Sequence, residues 1–89
     1  MTTVLVVHEV DDVEHWLRSP KRAEFFGPLG FTARTFIDPT NDQRVGLIVE
    51  GPSVEELQRA LNSDTAADAM KYDGVRPDTV ELFVEPNGA

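Results

Sequence analysis

The strand-forming segments of this chain carry apolar side chains on both faces. In Thr2–His8, Val4 and Val6 point to one side of the predicted strand, and Leu5 and Val7 point to the other, because successive side chains of a strand alternate between faces. A sheet with one solvated face shows apolar and polar residues in turn. A chain of 89 residues has too few helices to cover both faces. We therefore expect a second copy of the chain to cover the face that the helices leave open.

Composition excludes several classes of function. The chain contains no cysteine, which removes disulfides, cysteine-type zinc sites, iron–sulfur clusters and a thiol nucleophile. Its net charge is −8, and its basic residues cluster only loosely, at Arg18, Lys21 and Arg22. A nucleic-acid partner is therefore not expected, because such binding normally needs a basic patch. The first apolar run is too short for a signal peptide or a membrane span. We expect a cytoplasmic protein with no membrane partner.

No repeat or linker divides the chain, which indicates a single domain over residues 1–89. Strands are predicted where β-branched and aromatic residues cluster between turn residues: Thr2–His8, Phe31–Ile37, Arg44–Glu50 and Thr79–Glu85. Residues 38–42 are dense in turn formers, so the second and third strands form a hairpin. The last residues, 86–89, are predicted to be a frayed tail.

Helices are predicted from their capping residues. Asp11 or Asp12 caps a first helix that ends near Arg18, because proline is not tolerated in a helix interior and Ser19-Pro20 interrupts the pattern. A second short helix runs over 20–26. Ser53 and Glu56 form a capping box for a helix over 54–61. Ser63 or Asp64 caps a last short helix that passes through Ala66, Ala69 and Met70.

The resulting order, β-α-β-β-α-β, predicts an α+β, ferredoxin-like fold. In this fold a four-stranded antiparallel sheet carries its helices on one face. The other face is largely apolar here and would be an aggregation site in a monomer. The sequence therefore predicts a homodimer that forms through the open sheet face.

Most of the chain resembles one known group of proteins. The resemblance lies in the hairpin Gly30–Val45, in Val49-Glu50 and Ser53–Leu57 after it, in Leu61–Ser63 with Ala69-Met70, and in the closing segment Val80–Glu85. These segments are similar to those of the dimeric α/β-barrel proteins, the antibiotic biosynthesis monooxygenase-like superfamily. Pro20 departs from the pattern, because the first helix of that group is normally continuous.

The resemblance implies that two sheets close face to face into a barrel, and that each subunit has a pocket between its own helices and sheet. Some members oxidise polycyclic aromatic compounds with molecular oxygen and without metal or flavin. Others degrade haem, isomerise lactones or have no known reaction. No catalytic set of the family can be carried over to this chain residue by residue.

Aromatic residues are the first candidates for a ligand site. Trp16, the one tryptophan of the chain, is predicted to lie over the sheet, where it forms either a pocket wall for a flat apolar ligand or part of the core. Phe25 and Phe26 extend the same wall. Tyr72 follows the last helix, and its hydroxyl either binds a ligand or lies at a capped loop position.

Polar candidates are fewer. Arg34, in the middle of the second strand, needs a carboxylate such as Glu50 or Glu81, a partner across the dimer, or an anionic ligand. His8 ends the first strand and is suited to proton transfer. His8 and His15 could also form a metal site with a carboxylate such as Glu50 or Glu81, although no HxH or HExxH spacing supports one. The predicted role for each histidine is at the surface or core edge.

We therefore predict a ligand site formed by His8, Trp16, Phe26, Arg34 and Tyr72. The ligand would be a small apolar or aromatic metabolite, bound or converted without a cofactor. The alternative is a non-catalytic dimeric interaction or regulatory module; a third hypothesis, haem or metal handling, rests on the two histidines alone. Whether the protein is an enzyme stays open at this point.

Overall fold

The computed structural model describes residues 2–86. Over this range the strands are β1 (Thr2–Glu9), β2 (Thr32–Ile37), β3 (Arg44–Gly51) and β4 (Glu81–Val84). The helices are α1 (Val13–Arg18), α2 (Lys21–Phe26), α3 (Val54–Leu61) and α4 (Asp64–Asp73), and single 3-10 turns cover Gly27–Leu29 and Pro77–Thr79. The predicted frayed tail lies outside the described residues, apart from Pro86.

The described strands form one antiparallel sheet in the order β2-β3-β1-β4. In the central pair, Val4 of β1 lies opposite Val49 of β3, and Val6 lies opposite Leu47. On the other side of β1, Leu82 of β4 lies opposite Val6. This arrangement confirms the predicted α+β, ferredoxin-like fold.

The helices pack on one face of the sheet and form the core with it. Residues that point to this face from the sheet are buried: Val4, Val6, Val45, Leu47 and Val49. The helices contribute Trp16, Phe26, Leu57 and Ala66, which are also buried. Burying a large apolar side chain stabilises a fold by roughly 1.5–3 kcal/mol. The core between sheet and helices therefore supplies most of the stabilisation of this domain.

The opposite face of the sheet is open in the single chain. Side chains on this open face include Leu5, Val7, Phe36, Ile48 and Phe83, which alternate along their strands with the buried set. Leu5, Phe36 and Phe83 are exposed to solvent. Apolar side chains therefore lie on both faces of the sheet, as predicted, but on the open face they stand among charged residues such as Arg34 and Glu50. A partner for the open face is not shown by a single chain.

The helices begin at the predicted caps. The Asp12 carboxylate accepts a hydrogen bond from the backbone of His15 at 3.2 Å, and Ser53 and Ser63 cap α3 and α4 in the same way. Ser19 has extended backbone angles (φ −66°, ψ 134°) and separates α1 from α2, as Pro20 predicts. No helix within residues 2–86 is long and apolar enough to cross a lipid bilayer.

The last strand is shorter than predicted at its beginning. Pro77 opens a 3-10 turn that includes Thr79, and the Thr79 hydroxyl accepts a hydrogen bond from the backbone N–H of Glu9 at 2.9 Å. Thr79 therefore binds the end of β1 through its side chain instead of extending the ladder of β4.

Candidate functional site

An apolar cavity lies between the helix-facing side of the sheet and helices α2, α3 and α4. Its volume is about 80 Å³. Aliphatic and aromatic side chains form most of its wall: Val6, Trp16, Phe25, Phe26, Leu47, Leu57, Leu61, Ala66, Ala69, Met70, Val75 and Val80. Polar groups enter the wall from His8, Lys21, Arg22 and Asp73. Such a cavity, apolar with a few convergent polar groups, is typical of small-molecule sites.

Trp16 organises one side of the cavity. Its ring is only 1% exposed, and the ring of His8 meets it edge-on with centroids 5.7 Å apart and planes at 79°. The guanidinium carbon of Arg22 lies 4.2 Å from the centroid of the same ring. This distance is within the range of a cation–π contact. Trp16 therefore holds both His8 and Arg22 in position.

His8 brings an uncharged imidazole into the cavity. It alternates with Val4 and Val6 along β1 and so faces the helices, where it is buried. Burial lowers its pKa from the ordinary value of about 6.5; the Glu9 carbonyl and Asp73 oppose this shift, and Arg22 adds to it. The Nδ1 atom lies 3.4 Å from the carbonyl oxygen of Glu9. This contact favours a proton on Nδ1 and leaves Nε2 as an acceptor.

Arg22 and Asp73 form a buried ion pair beside His8. Their side chains are 14% and 5% exposed, and the Nη1 atom of Arg22 lies 3.8 Å from Oδ2 of Asp73. This distance is too long for a hydrogen bond. Burial lowers the pKa of Arg22, and the nearby carboxylate of Asp73 opposes that shift. Within residues 2–86, neither Arg22 Nη1 nor Asp73 Oδ1 has a hydrogen-bond partner.

The position of Asp73 is fixed by the way α4 ends. Gly74 takes a left-handed conformation (φ 71°, ψ 26°), and its carbonyl accepts a hydrogen bond from the backbone of Asp11 at 3.0 Å. Val10 and Val75 then form an isolated antiparallel bridge. These contacts join the last turn of α4 to the end of β1, and so bring Asp73 to the same end of the cavity as His8.

A shallow groove on the outside of the domain borders the cavity. Lys21, Phe25 and Ala69 line both the cavity and this groove. The groove runs between α2 and α4 and is also lined by Glu24 and Tyr72. The three shared residues therefore separate the cavity from the groove.

Three of the predicted site residues, His8, Trp16 and Phe26, lie together in the cavity wall. The side chain of Arg34 does not. Arg34 lies opposite Ile48 on the open face of the sheet. Phe36 points to the same face, whereas Ala33 points to the helices. The predicted ion pair with Glu50 or Glu81 is not formed within residues 2–86, where the guanidinium carbon lies 5.9 Å from the Phe36 ring centroid. The role of Arg34 in a ligand site stays a prediction.

Tyr72 lies outside the cavity as well. It is exposed, because it follows Lys71 on the outer side of α4 while its neighbour Asp73 points inward. The Tyr72 ring packs against His15, with centroids 5.2 Å apart, and the ammonium of Lys21 lies 5.2 Å from its centroid. The backbone carbonyl of Tyr72 binds Nε2 of His15 at 2.8 Å. Tyr72 therefore lines the groove and not the cavity, and a hydrogen bond from its hydroxyl to a ligand stays a prediction.

Sequence reasoning missed Arg22 and Asp73. A signal for Asp73 was present: Ala66, Ala69, Met70 and Asp73 follow one another at helical spacings of three and four residues, so Asp73 continues the inward stripe of α4. Arg22 has the same relation to Phe25 and Phe26 on α2. Their pairing with each other had no signal, because it joins two short helices that are distant in sequence.

The described residues hold no cluster of three or more histidine, aspartate or glutamate side chains that could bind a metal ion. His15 is engaged by the backbone of Tyr72, whereas His8 faces the cavity. The joint metal site considered for the two histidines with Glu50 or Glu81 is therefore not formed.

Comparison with known proteins places this fold. No protein-family model and no curated protein matches the sequence. Among solved structures, SnoaB, a cofactor-independent oxygenase from Streptomyces nogalater, is similar with a TM-score of 0.73 and 16% identity, over 99% of this chain and 93% of that one. An antibiotic biosynthesis monooxygenase is similar with a TM-score of 0.66 and 14% identity over the full length of both chains.

A third similar structure carries a different description. It is an ethyl tert-butyl ether D family protein from Bacillus halodurans, with a TM-score of 0.58 and 18% identity, over 98% of this chain and 99% of that one. Identities this low establish the fold and no activity. The chain has the fold of the antibiotic biosynthesis monooxygenase-like superfamily, as its sequence resemblance implied.

Proposed function

We propose that this protein binds or converts a small apolar or aromatic metabolite in the cavity beside Trp16, as a homodimer and without a bound cofactor. The observation that carries the proposal is the cavity itself, of about 80 Å³, in which a buried histidine and a buried ion pair face apolar walls. A protein interior normally fills such space with side chains and pairs its polar groups.

Conversion of the metabolite is supported by the character of the polar groups. A reaction without a cofactor requires the protein to exclude water, orient the substrate and move a proton. His8 is buried, and its lowered pKa keeps it in the neutral form, so Nε2 can accept a proton from a bound substrate. Similarity in fold to SnoaB, described as a cofactor-independent oxygenase, agrees with this chemistry.

The homodimer is supported by the open sheet face. Leu5, Phe36 and Phe83 are exposed there in the single chain, and apolar surface of this kind marks an interface.

The absence of cysteine from the sequence agrees with a protein of the cytoplasm.

The alternative function is a non-catalytic dimeric interaction module. The size of the cavity favours it, because a cavity of about 150 Å³ is known to admit benzene and this one has about 80 Å³. The two functions therefore differ in one observable property: a ligand-binding protein opens at Lys21, Phe25 and Ala69 to admit an apolar guest, and a purely structural one does not.

Titration with benzene, followed by NMR, tests the proposal. Trp16 is the one tryptophan of the chain, so its indole N–H signal reports on the cavity wall. We expect a saturable shift of this signal. Ala69→Leu adds bulk to the wall of the cavity and should weaken benzene binding, whereas Ala67→Leu, at an exposed position of the same helix, should leave it unchanged.

The interaction module is favoured instead if benzene leaves the Trp16 signal unmoved in a folded protein. An equal effect of the two leucine substitutions would show that binding takes place elsewhere on the surface.

A further inference from the structure

We infer that Arg22 and Asp73 together bind a single hydroxyl group, so that the preferred ligand of the cavity is a small, otherwise apolar alcohol. This inference rests on the proposed function of the cavity and adds the chemical class of its ligand. Both side chains line the cavity, and each has one buried polar atom that no group in residues 2–86 pairs.

The ion pair is not explained by the stability of the fold. Nη1 of Arg22 and Oδ2 of Asp73 are 3.8 Å apart, which provides charge attraction without a hydrogen bond. The Asp73 side chain is only 5% exposed. Burying a charged group with incomplete pairing lowers the stability of the fold. The structure therefore keeps two charged groups inside an apolar cavity with unused hydrogen-bonding capacity.

The place of Asp73 in its helix points the same way. Asp73 is the last residue of α4, and the carbonyl end of a helix carries partial negative charge that disfavours a carboxylate. Gly74 already ends the helix with its left-handed conformation, and the hydrogen bonds of this turn come from backbone groups. Asp73 is therefore not needed to end α4.

A hydroxyl group matches both unused atoms at once. It can donate a hydrogen bond to Oδ1 of Asp73 and accept one from Nη1 of Arg22. A ketone only accepts and leaves the carboxylate unpaired. A carboxylate ligand is repelled by Asp73, and an ammonium ligand is repelled by Arg22. The apolar remainder of an alcohol would lie against Trp16 and Phe26. A water molecule has no apolar part that could make these contacts.

Three ligands of nearly equal size separate these cases: cyclopentanol, cyclopentanone and methylcyclopentane. Each is titrated into the wild-type protein with the Trp16 indole N–H signal as the readout. We expect cyclopentanol to bind about tenfold more tightly than either of the others, because a hydrogen bond to a charged group contributes at least that much.

Asp73→Asn tests the role of the carboxylate. The asparagine amide has nearly the same shape and can donate a hydrogen bond to a ketone, so the preference for cyclopentanol over cyclopentanone should fall towards one. Asp64→Asn removes an exposed carboxylate from the same helix, outside both the cavity and the groove, and should leave the preference unchanged. The wild-type series alone keeps the test decisive if Asp73→Asn does not fold.

Equal affinities for the three ligands would overturn the hydroxyl site and leave the cavity as a binding site. An unchanged preference in a folded Asp73→Asn protein would also overturn it. If none of the ligands moves the Trp16 signal, the proposed function of the cavity fails together with the inference.

Discussion

At the scale of single residues, the cavity is defined by groups whose burial conflicts with their polarity. His8 is 5% exposed and Asp73 is 4% exposed, and they are the buried polar residues among those described. Both lie at the end of the cavity where β1 and α4 are joined. Burial lowers the pKa of His8, and groups perturbed in this way concentrate at functional sites, so this end is where binding or proton transfer is expected.

Because His8 is buried, we expect the free energy of unfolding to depend on pH. Its pKa in the folded protein is lowered by desolvation, whereas the unfolded chain keeps the ordinary value of about 6.5. As the pH falls through this value, the unfolded state binds a proton that the folded state does not. The free energy of unfolding should therefore be highest above about pH 6.5 and should decrease as the pH falls towards the folded-state pKa.

Urea unfolding between about pH 7.5 and pH 5.5 measures this effect. His8→Gln removes the titrating group from the cavity and should flatten the pH dependence. His15→Gln removes the other histidine, which binds a backbone carbonyl at the surface, and should not change the contribution of His8. Equal slopes for wild type and His8→Gln would contradict the prediction.

Residue-level prediction succeeded where one strand or helix decides the orientation of a side chain. Helical spacing places Trp16 with Val13 over the sheet, as predicted. Alternation along β1 places His8 with Val6, where it is buried, although a surface or core-edge position was predicted for it. The same alternation along β2 would have placed Arg34 on the open face with Phe36. Arg22 and Asp73 could not be paired from sequence, since their contact depends on how α2 and α4 rotate against each other.

At the scale of elements, capping residues and proline made the helices predictable. Ser53 and Ser63 begin α3 and α4, and Pro20 separates two helices of six residues each. The beginning of β4 was not predictable in this way. Its position depends on the hydrogen bond between Thr79 and Glu9, which joins residues at opposite ends of the chain.

The junction between β3 and β2 has a close approach that a substitution can test. A Cβ atom added at Gly51 would lie 1.9 Å from Cδ1 of Phe31, and Phe31 is buried against Phe26, with centroids 6.2 Å apart. We expect Gly51→Ala to lower the free energy of unfolding by about 1–3 kcal/mol, since overpacking displaces the ring. Displacement of Phe26 would also weaken benzene binding.

Gly27→Ala is the matched control for this substitution. No atom lies within 4 Å of a Cβ added at Gly27, and its backbone is already helical (φ −54°), so stability should stay equal or increase slightly. Chemical denaturation of both variants provides the measurement. Equal stability of Gly51→Ala and Gly27→Ala would show that Phe31 is not held as tightly as its burial indicates.

At the scale of the whole molecule, the open sheet face combines apolar side chains with charges of both signs. Alternation places Arg34 and Arg44 on this face together with Glu50 and Glu81. A two-fold partner presents the same set of groups in reverse. An ion pair between Arg34 and a carboxylate of the second copy therefore remains available to the proposed dimer.

A substitution on the open face tests the dimer directly. Leu5 is 41% exposed on the open face, and Leu17 of α1 is 42% exposed outside the sheet. Leu5→Glu should convert a dimer into monomer or aggregate, because it places a charge inside the interface, and Leu17→Glu should remain dimeric. Sedimentation at micromolar concentration distinguishes a wild-type dimer from a single chain of 9.9 kDa. A wild-type protein that sediments as one chain would remove the dimer from the proposal, while the benzene and cyclopentanol tests of the cavity would stand.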